Sequence, residues 1–400
     1  MKKILNKFAC FFALLFFSGL AVASEPIKSE ESQKTKAIPA IVSLLMEEIS
    51  TPDAIFSFPD TGQNKCYSNS GIIDCPTDPG APFYGQDAQY PRITRSYTKL
   101  GQEGAELEND AAHADNGGEW VMTRDDVTGL VWEIKTSDNK NVEYTWSEAG
   151  NFIDQLNNNG GGFGGFTDWR LPSRAELSSL SDRSKHEPAI DPNWFPDTMS
   201  WRYWSDTTVA QYTSRAWRVN AAIGFVYHES KTNNSYHVRA VRGPVIDHNM
   251  VDNNDGTVTD KTNGLIWKKC SYGQQWDGNS QSCTGTAELL TWENALAKAA
   301  QESDWRLPNI NELQSLVDDS VYSPAIYEPF RPHSPPVLSP GPDHADTLPY
   351  WSSTTDVRFP AYDRAWLVNF VDGSNNYDGY RGDQGVKTLE FYVRLVRTVK

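Results

Sequence analysis

The chain repeats itself. Seven short blocks occur twice, in the same order. The first set is D-V-T-G-L-V-W (126–132), T-W-S-E-A (145–149), D-W-R-L-P-S-R-A-E-L (168–177), E-P-A-I (187–190), Y-W-S-D-T-T (203–208), R-A-W-R-V-N (215–220) and V-R-A-V-R (238–242). The second is K-T-N-G-L-I-W (261–267), T-W-E-N-A (291–295), D-W-R-L-P-N-I-N-E-L (304–313), S-P-A-I (323–326), Y-W-S-S-T-T (350–355), R-A-W-L-V-N (364–369) and V-R-L-V-R (393–397). Such a unit is far longer than a solenoid repeat, so the pattern predicts two tandem globular domains of one kind. They should meet near Gly243-Pro244. A chain of 400 residues has room for both.

Each block carries local structural signals. Thr145 and Glu148 form a capping box opening a helix, with Trp146, Ala149, Ile153 and Leu156 at helical spacing. Trp292, Ala295, Leu296 and Ala299 repeat that face. After each D-W-R-L-P, Ser173 with Glu176 and Asn309 with Glu312 mark a second helix start. The tyrosine-tryptophan and arginine-valine blocks read as short strands. Each domain is therefore two helices plus a small antiparallel sheet, an α+β pattern. Arg170 and Arg306 read as scaffold, each pairing with a carboxylate such as Asp168 or Asp304 and stacking on Trp169 or Trp305. The competing reading is an anion-binding arginine at a helix start. Trp204 and Trp351 read as core.

Outside the repeat, residues 1–23 have the basic start, apolar run and Ala21-Val22-Ala23 site of a signal peptide, which predicts export. The mature chain should carry no transmembrane segment; periplasm, cell surface and extracellular space all remain open. Residues 24–56 are polar, with one candidate helix at 40–49. The first domain spans 57–243, with 57–118 as its N-terminal elaboration. The second spans 247–400 and is expected to fold alone. Cys66–Cys75 and Cys270–Cys283 are the economical disulfides for an exported chain. Each should contribute on the order of 2–3 kcal/mol in the chain-entropy model. The net charge of -16 disfavours nucleic acid.

The blocks T-G-L-V-W and N-G-L-I-W, the paired D-W-R-L-P-x-x-x-E-L and Y-W-S-x-T-T motifs and the V-R-x-V-R ends resemble the Lcl C-terminal domain family. P-D-T-G-Q-N-K-C-Y (59–67) and Y-G-Q-D-A-Q-Y (84–90) are similar to the family's lead-in. The resemblance implies two C-type-lectin-like domains, related to the architecture of formylglycine-generating enzymes. It also implies adhesin-like glycosaminoglycan binding, although this chain's acidity opposes a polyanionic ligand.

Binding residues should lie in loops that the two copies do not share. That selects Trp194 and Trp201 in the first copy, and Trp276, Tyr377 and Tyr380 in the second. D-N-N-D-G-T-V-T-D (252–260) resembles a calcium loop, with Asp252, Asn254, Asp255 and Asp260 as candidate ligands. It fails the EF-hand spacing, and a turn into a strand explains Asn-Asp-Gly equally well. Calcium is the one cofactor the sequence raises. N-N-N-G-G-G-F-G-G (157–165) lacks the Lys-Ser/Thr of a phosphate loop and reads as a flexible connection. Nucleophile and zinc-protease motifs are missing. The leading expectation is a non-enzymatic binding protein for glycans or another cell-surface ligand. A structural or protein-interaction module of the envelope comes second, and an enzyme of the formylglycine-generating type third.

Overall fold

The computed structural model describes residues 58–246, 248–334, 349–375 and 385–399. These belong to one compact unit, Ile55–Lys400. The signal peptide, the segment 24–56, Tyr377 and Tyr380 lie outside the described residues.

The architecture is α+β. A small hairpin, β1 (Cys66–Tyr67) with β2 (Ile72–Ile73), comes first. The first copy then builds a four-stranded antiparallel sheet from β3 (Tyr97–Leu100), β4 (Met122–Asp125), β5 (Val131–Glu133) and β9 (Val241–Arg242). Between β5 and β9 lie helices Trp146–Asn158 and Arg174–Ser179 and a three-stranded sheet of β6 (Arg202–Thr208), β7 (Arg215–Asn220) and β8 (Phe225–Ser230). The second copy repeats the plan. Its four-stranded sheet is β10 (Met250–Asp252), β11 (Thr257–Asp260), β12 (Leu265–Lys268) and β17 (Val396–Thr398). Inside it come an extra hairpin of β13 (Gln275–Asp277) and β14 (Ser282–Thr284), helices Trp292–Ala300 and Ile310–Gln314, and β15 (Tyr350–Thr355) with β16 (Ala365–Val368). Each copy keeps its own apolar core, around Trp132, Trp217 and Trp204 in one and Trp267, Trp366 and Trp351 in the other. Among the described residues no helix is long and apolar enough to cross a membrane. Cys66–Cys75 and Cys270–Cys283 are bonded as the spacing predicted.

The repeated blocks are joints between elements. Trp204 and Trp351 are fully buried, and their Nε1 atoms donate to Tyr144 O at 2.9 Å and Leu290 O at 2.8 Å. The next serine in each strand, Ser205 or Ser352, donates across the sheet to Trp217 O or Trp366 O. The hydroxyl two residues further, Thr207 or Thr354, accepts the first backbone N–H of the helix after D-W-R-L-P. That satisfies a donor which the helix itself leaves unpaired.

D-W-R-L-P is the matching corner, but its ion pair differs from expectation. Arg170 grips Glu176 with two bonds of 2.7 Å, and Arg306 grips Glu312 at 2.7 and 2.6 Å. The capping box explains the choice, because Glu176 and Glu312 already reach back to the backbone N–H of Ser173 and Asn309. Asp168 pairs instead with Arg242.

The lead-in also behaves differently. Residues 58–92 were expected to elaborate the first copy, yet most of their buried polar contacts are with the second. Gln63 bonds Thr355 through both ends of its amide. Asp87 accepts from Thr354 at 2.7 Å, Arg92 faces Glu312 at 3.4 Å, and Asn311 donates to Pro59 O. Burial supplies the reason. Thr354 and Thr355 are fully buried, whereas their counterparts Thr207 and Thr208 are half-exposed. Buried polar groups need partners, and the lead-in provides them: Asp87 for the Thr354 hydroxyl and Gln63 for the Thr355 backbone N–H and C=O. The copies also meet directly: Arg174 pairs with Asp319 and donates to Gly373 O, and Asn375 bonds both Val226 N and Gly224 O. We therefore expect a 247–400 fragment to be protease-labile, and 58–400 to melt cooperatively. A sharp thermal transition from the short fragment would show that the lead-in is dispensable.

Candidate functional site

The two copies differ in the connection that leaves their first helix. In the first copy, residues 159–167 separate helix Trp146–Asn158 from Asp168; in the second, only 301–303 separate Ala300 from Asp304. The longer connection is the glycine-rich stretch, and it is packed rather than loose. Phe163 N bonds Leu156 O, and Gly164 O accepts from Glu103 N. Phe163 lies against Trp169 at 5.5 Å, and Phe166 lies under the Arg242 guanidinium at 3.7 Å. Trp169 is consequently buried, with Nε1 bonded to Phe163 O.

The second copy has no such plug. Trp305, the counterpart of Trp169, is only half-buried and lines an open cleft of about 480 Å³. The expectation that Trp305 serves as scaffold, a stacking surface for Arg306, does not cover this exposure. Lys268 and Arg397 approach its ring at 5.2 and 4.7 Å. Arg397 pairs with Ile266 across the sheet and Lys268 is two residues on, so both cations rise from one sheet face.

Trp276 closes the other side of this cleft. It stands on β13, in the extra hairpin clamped by Cys270–Cys283, which the first copy lacks. Gly256 lets it approach closely: a Cβ there would fall 2.5 Å from Trp276 Cγ, and its φ is +88°. Lys269 lies 4.5 Å from the ring and His333 packs edge-on at 5.1 Å. Between the two tryptophans the lining is polar: Tyr272, Gln275, Glu288 and Glu302. Burial, then the nearby Glu288 and Glu302 carboxylates, push the Tyr272 hydroxyl up from its ordinary range. Glu302 itself is paired with Lys268 at 2.8 Å. The result is two flat aromatic walls with hydroxyl, amide and carboxylate groups between them.

Of the binding aromatics selected by sequence, Trp276 is the one among the described residues that lines this cleft; the calcium candidate Asp255 also reaches its wall. Trp194 is half-buried against Tyr97 and the first core, and Trp201 is exposed beneath Arg202. The candidate calcium ligands do not converge as a group. Asp252 is tied to Lys269 and to Asn254 N, and Asp255 closes a turn onto Thr257. Asp260, at the far end of β11, is buried and bonded to Asn263. Another carboxylate group, His113 with Asp115 and Asp197, already holds the Lys140 ammonium on Asp197. Sequence reasoning missed Trp305, Tyr272 and Glu302. The shortened connection 301–303 was the available signal, because it removes the residues that cover Trp169.

The α+β unit is present twice, with this face covered in one copy and open in the other. The chain belongs to the Lcl C-terminal domain family, which matches residues 121–242 and 256–397. No curated protein matches it.

Proposed function

We propose that this is an exported, non-enzymatic binding protein of C-type-lectin-like fold that recognises glycans, and that the second copy carries the site. The observation behind this reading is the open cleft between Trp276 and Trp305. Sugar rings present apolar C–H faces and a rim of hydroxyls. Aromatic walls with a few polar groups between them suit such a ligand. Two disulfides fit an oxidising compartment. The adhesin-like binding that the family resemblance implies supports a surface ligand. The acidic charge of the chain favours uncharged sugars over sulfated polymers.

A glycan array probed with the mature chain and with Trp276→Ala is the test. Wild type should bind a subset of glycans, and Trp276→Ala should weaken that signal at least tenfold while melting within a few degrees of wild type. Trp201→Ala, in the first copy, should leave it unchanged. A signal untouched by Trp276→Ala would place the ligand elsewhere. Blank arrays together with capture of a protein partner would favour an envelope interaction module.

A further inference from the structure

The cleft does not end at Trp305. A second cleft, of about 400 Å³, begins on the other side of the same residue and shares Glu302 with the first. Its far wall comes from the lead-in, through Pro79, Tyr84 and Tyr90. The two tyrosines are held together. Burial first, then the Tyr84 hydroxyl bonded beside it, push the Tyr90 hydroxyl up to about 12. Arg306 backs the Tyr90 ring at 5.3 Å. Aromatic groups therefore succeed one another from Trp276 over Trp305 to Tyr84 and Tyr90. This stretch crosses from the second copy onto the lead-in.

The charges along this path narrow the ligand. Acidic groups are Asp255, Glu288 and Glu302 in the first cleft and Asp304 in the second. Opposing them, Lys268 is paired with Glu302, and Arg306 is consumed by Glu312. Arg397 is the remaining cation, and among the described residues it has no carboxylate within 4.0 Å; its first-copy counterpart Arg242 is locked to Asp168. With Glu302 paired to Lys268, Asp255 and Glu288 oppose this one guanidinium, which gives no stripe for a polyanion.

Resting on the glycan reading above, we propose that the two clefts are successive subsites for one uncharged, linear oligosaccharide that crosses Trp305. The lead-in supplies the second subsite. A single sugar ring fills the Trp276 cleft alone, and longer chains reach Tyr84 and Tyr90. This also gives the lead-in a reason to pack on the second copy. Without it the groove has one wall at that end.

The experiment is calorimetric titration of the full mature chain with β-1,4-linked glucose and N-acetylglucosamine oligomers of one to six rings, and with heparin fragments of matched length. Wild type should gain at least tenfold in affinity between the shortest oligomer that binds and the hexamer. Tyr84→Ala should lose that gain and keep the short-oligomer affinity. Should Tyr84→Ala loosen the lead-in, Ser303→Trp offers a second route, since the exposed Ser303 lines only the second cleft. It should block long oligomers selectively. Heparin should bind no more tightly than the neutral series at physiological salt. Affinity that ignores chain length, or a hexamer indifferent to Ser303→Trp, overturns the extended groove while leaving a single-cleft lectin standing. Tighter binding of heparin overturns the uncharged ligand. No binding by any neutral or sulfated oligomer overturns the groove and the glycan reading together.

Discussion

Glu312→Ala should destabilise the protein by about 3–5 kcal/mol, the range for breaking a buried ion pair from one side. Glu312 and Arg306 are both almost wholly buried. Burial works against the Glu312 charge, yet Arg306, then Arg92 and the Asn309 backbone, hold its carboxyl below the ordinary range. Alanine would leave the Arg306 guanidinium unpaired in the interior, remove the Arg92 contact and uncap the helix at Asn309. Glu176→Ala makes the same cut in the first copy. There Arg170 is about a quarter exposed, with a side-chain exposure of 26%, so water can replace the carboxylate. Its cost should be clearly smaller. Chemical denaturation of both variants measures the difference. A paired Arg306→Met/Glu312→Leu change should be milder than Glu312→Ala, because no charge is stranded. Equal losses at the two corners would refute the argument from burial.

That asymmetry bears on how much of the structure was legible in the sequence. The seven blocks are joints, and joints constrain residue identity strongly. Trp204 and Trp351 each fill a core and bond a carbonyl. Ser173 and Asn309 cap helices whose first residue also needs Thr207 or Thr354. Those joints span tens of residues, but each fixes the residue identities of its block, while the capping boxes and the helix and strand patterns act over a few residues, so the repeat, its helices and its strands could be read directly. The partner of Arg170 was misjudged because Asp168 is only two residues away in sequence, while Glu176 is six residues on, in the helix across the corner. Placement of the lead-in was harder still. Its contacts span hundreds of residues, as with Gln63 and Thr355, and nothing local marks them. The site falls between these cases. Trp276 stood out because the first copy lacks it. Trp305 was hidden because its block is shared, and it is exposed because a connection cut to residues 301–303 has no counterparts of Phe163 and Phe166.

Asp87→Asn should flatten the pH dependence of stability, with the largest gain over wild type above neutral pH. Asp87 lies where the lead-in meets the second copy, its Oδ2 accepting from Thr61 at 2.8 Å and Thr354 at 2.7 Å. Burial pushes its carboxyl up to about 7 from 3.8. The Thr354 and Thr61 hydroxyls oppose that shift, and the charges of Asp60 and Glu312 add to it. A raised acid pKa in the folded state means that the native protein keeps a proton the unfolded chain has already released. Stability from this group is therefore full below about pH 4 and falls as pH rises toward 7, where the penalty is complete. The shift corresponds to on the order of 4 kcal/mol as an upper bound. Asparagine keeps an acceptor for both threonines and never ionises. The variant should match wild type near pH 4 and exceed it progressively up to pH 8, by urea denaturation at each pH. The first segment to loosen in wild type at high pH should be the lead-in, read as faster amide exchange around Thr61 and Gln63. A constant gap between the two proteins across this range would mean that Asp87 does not titrate there.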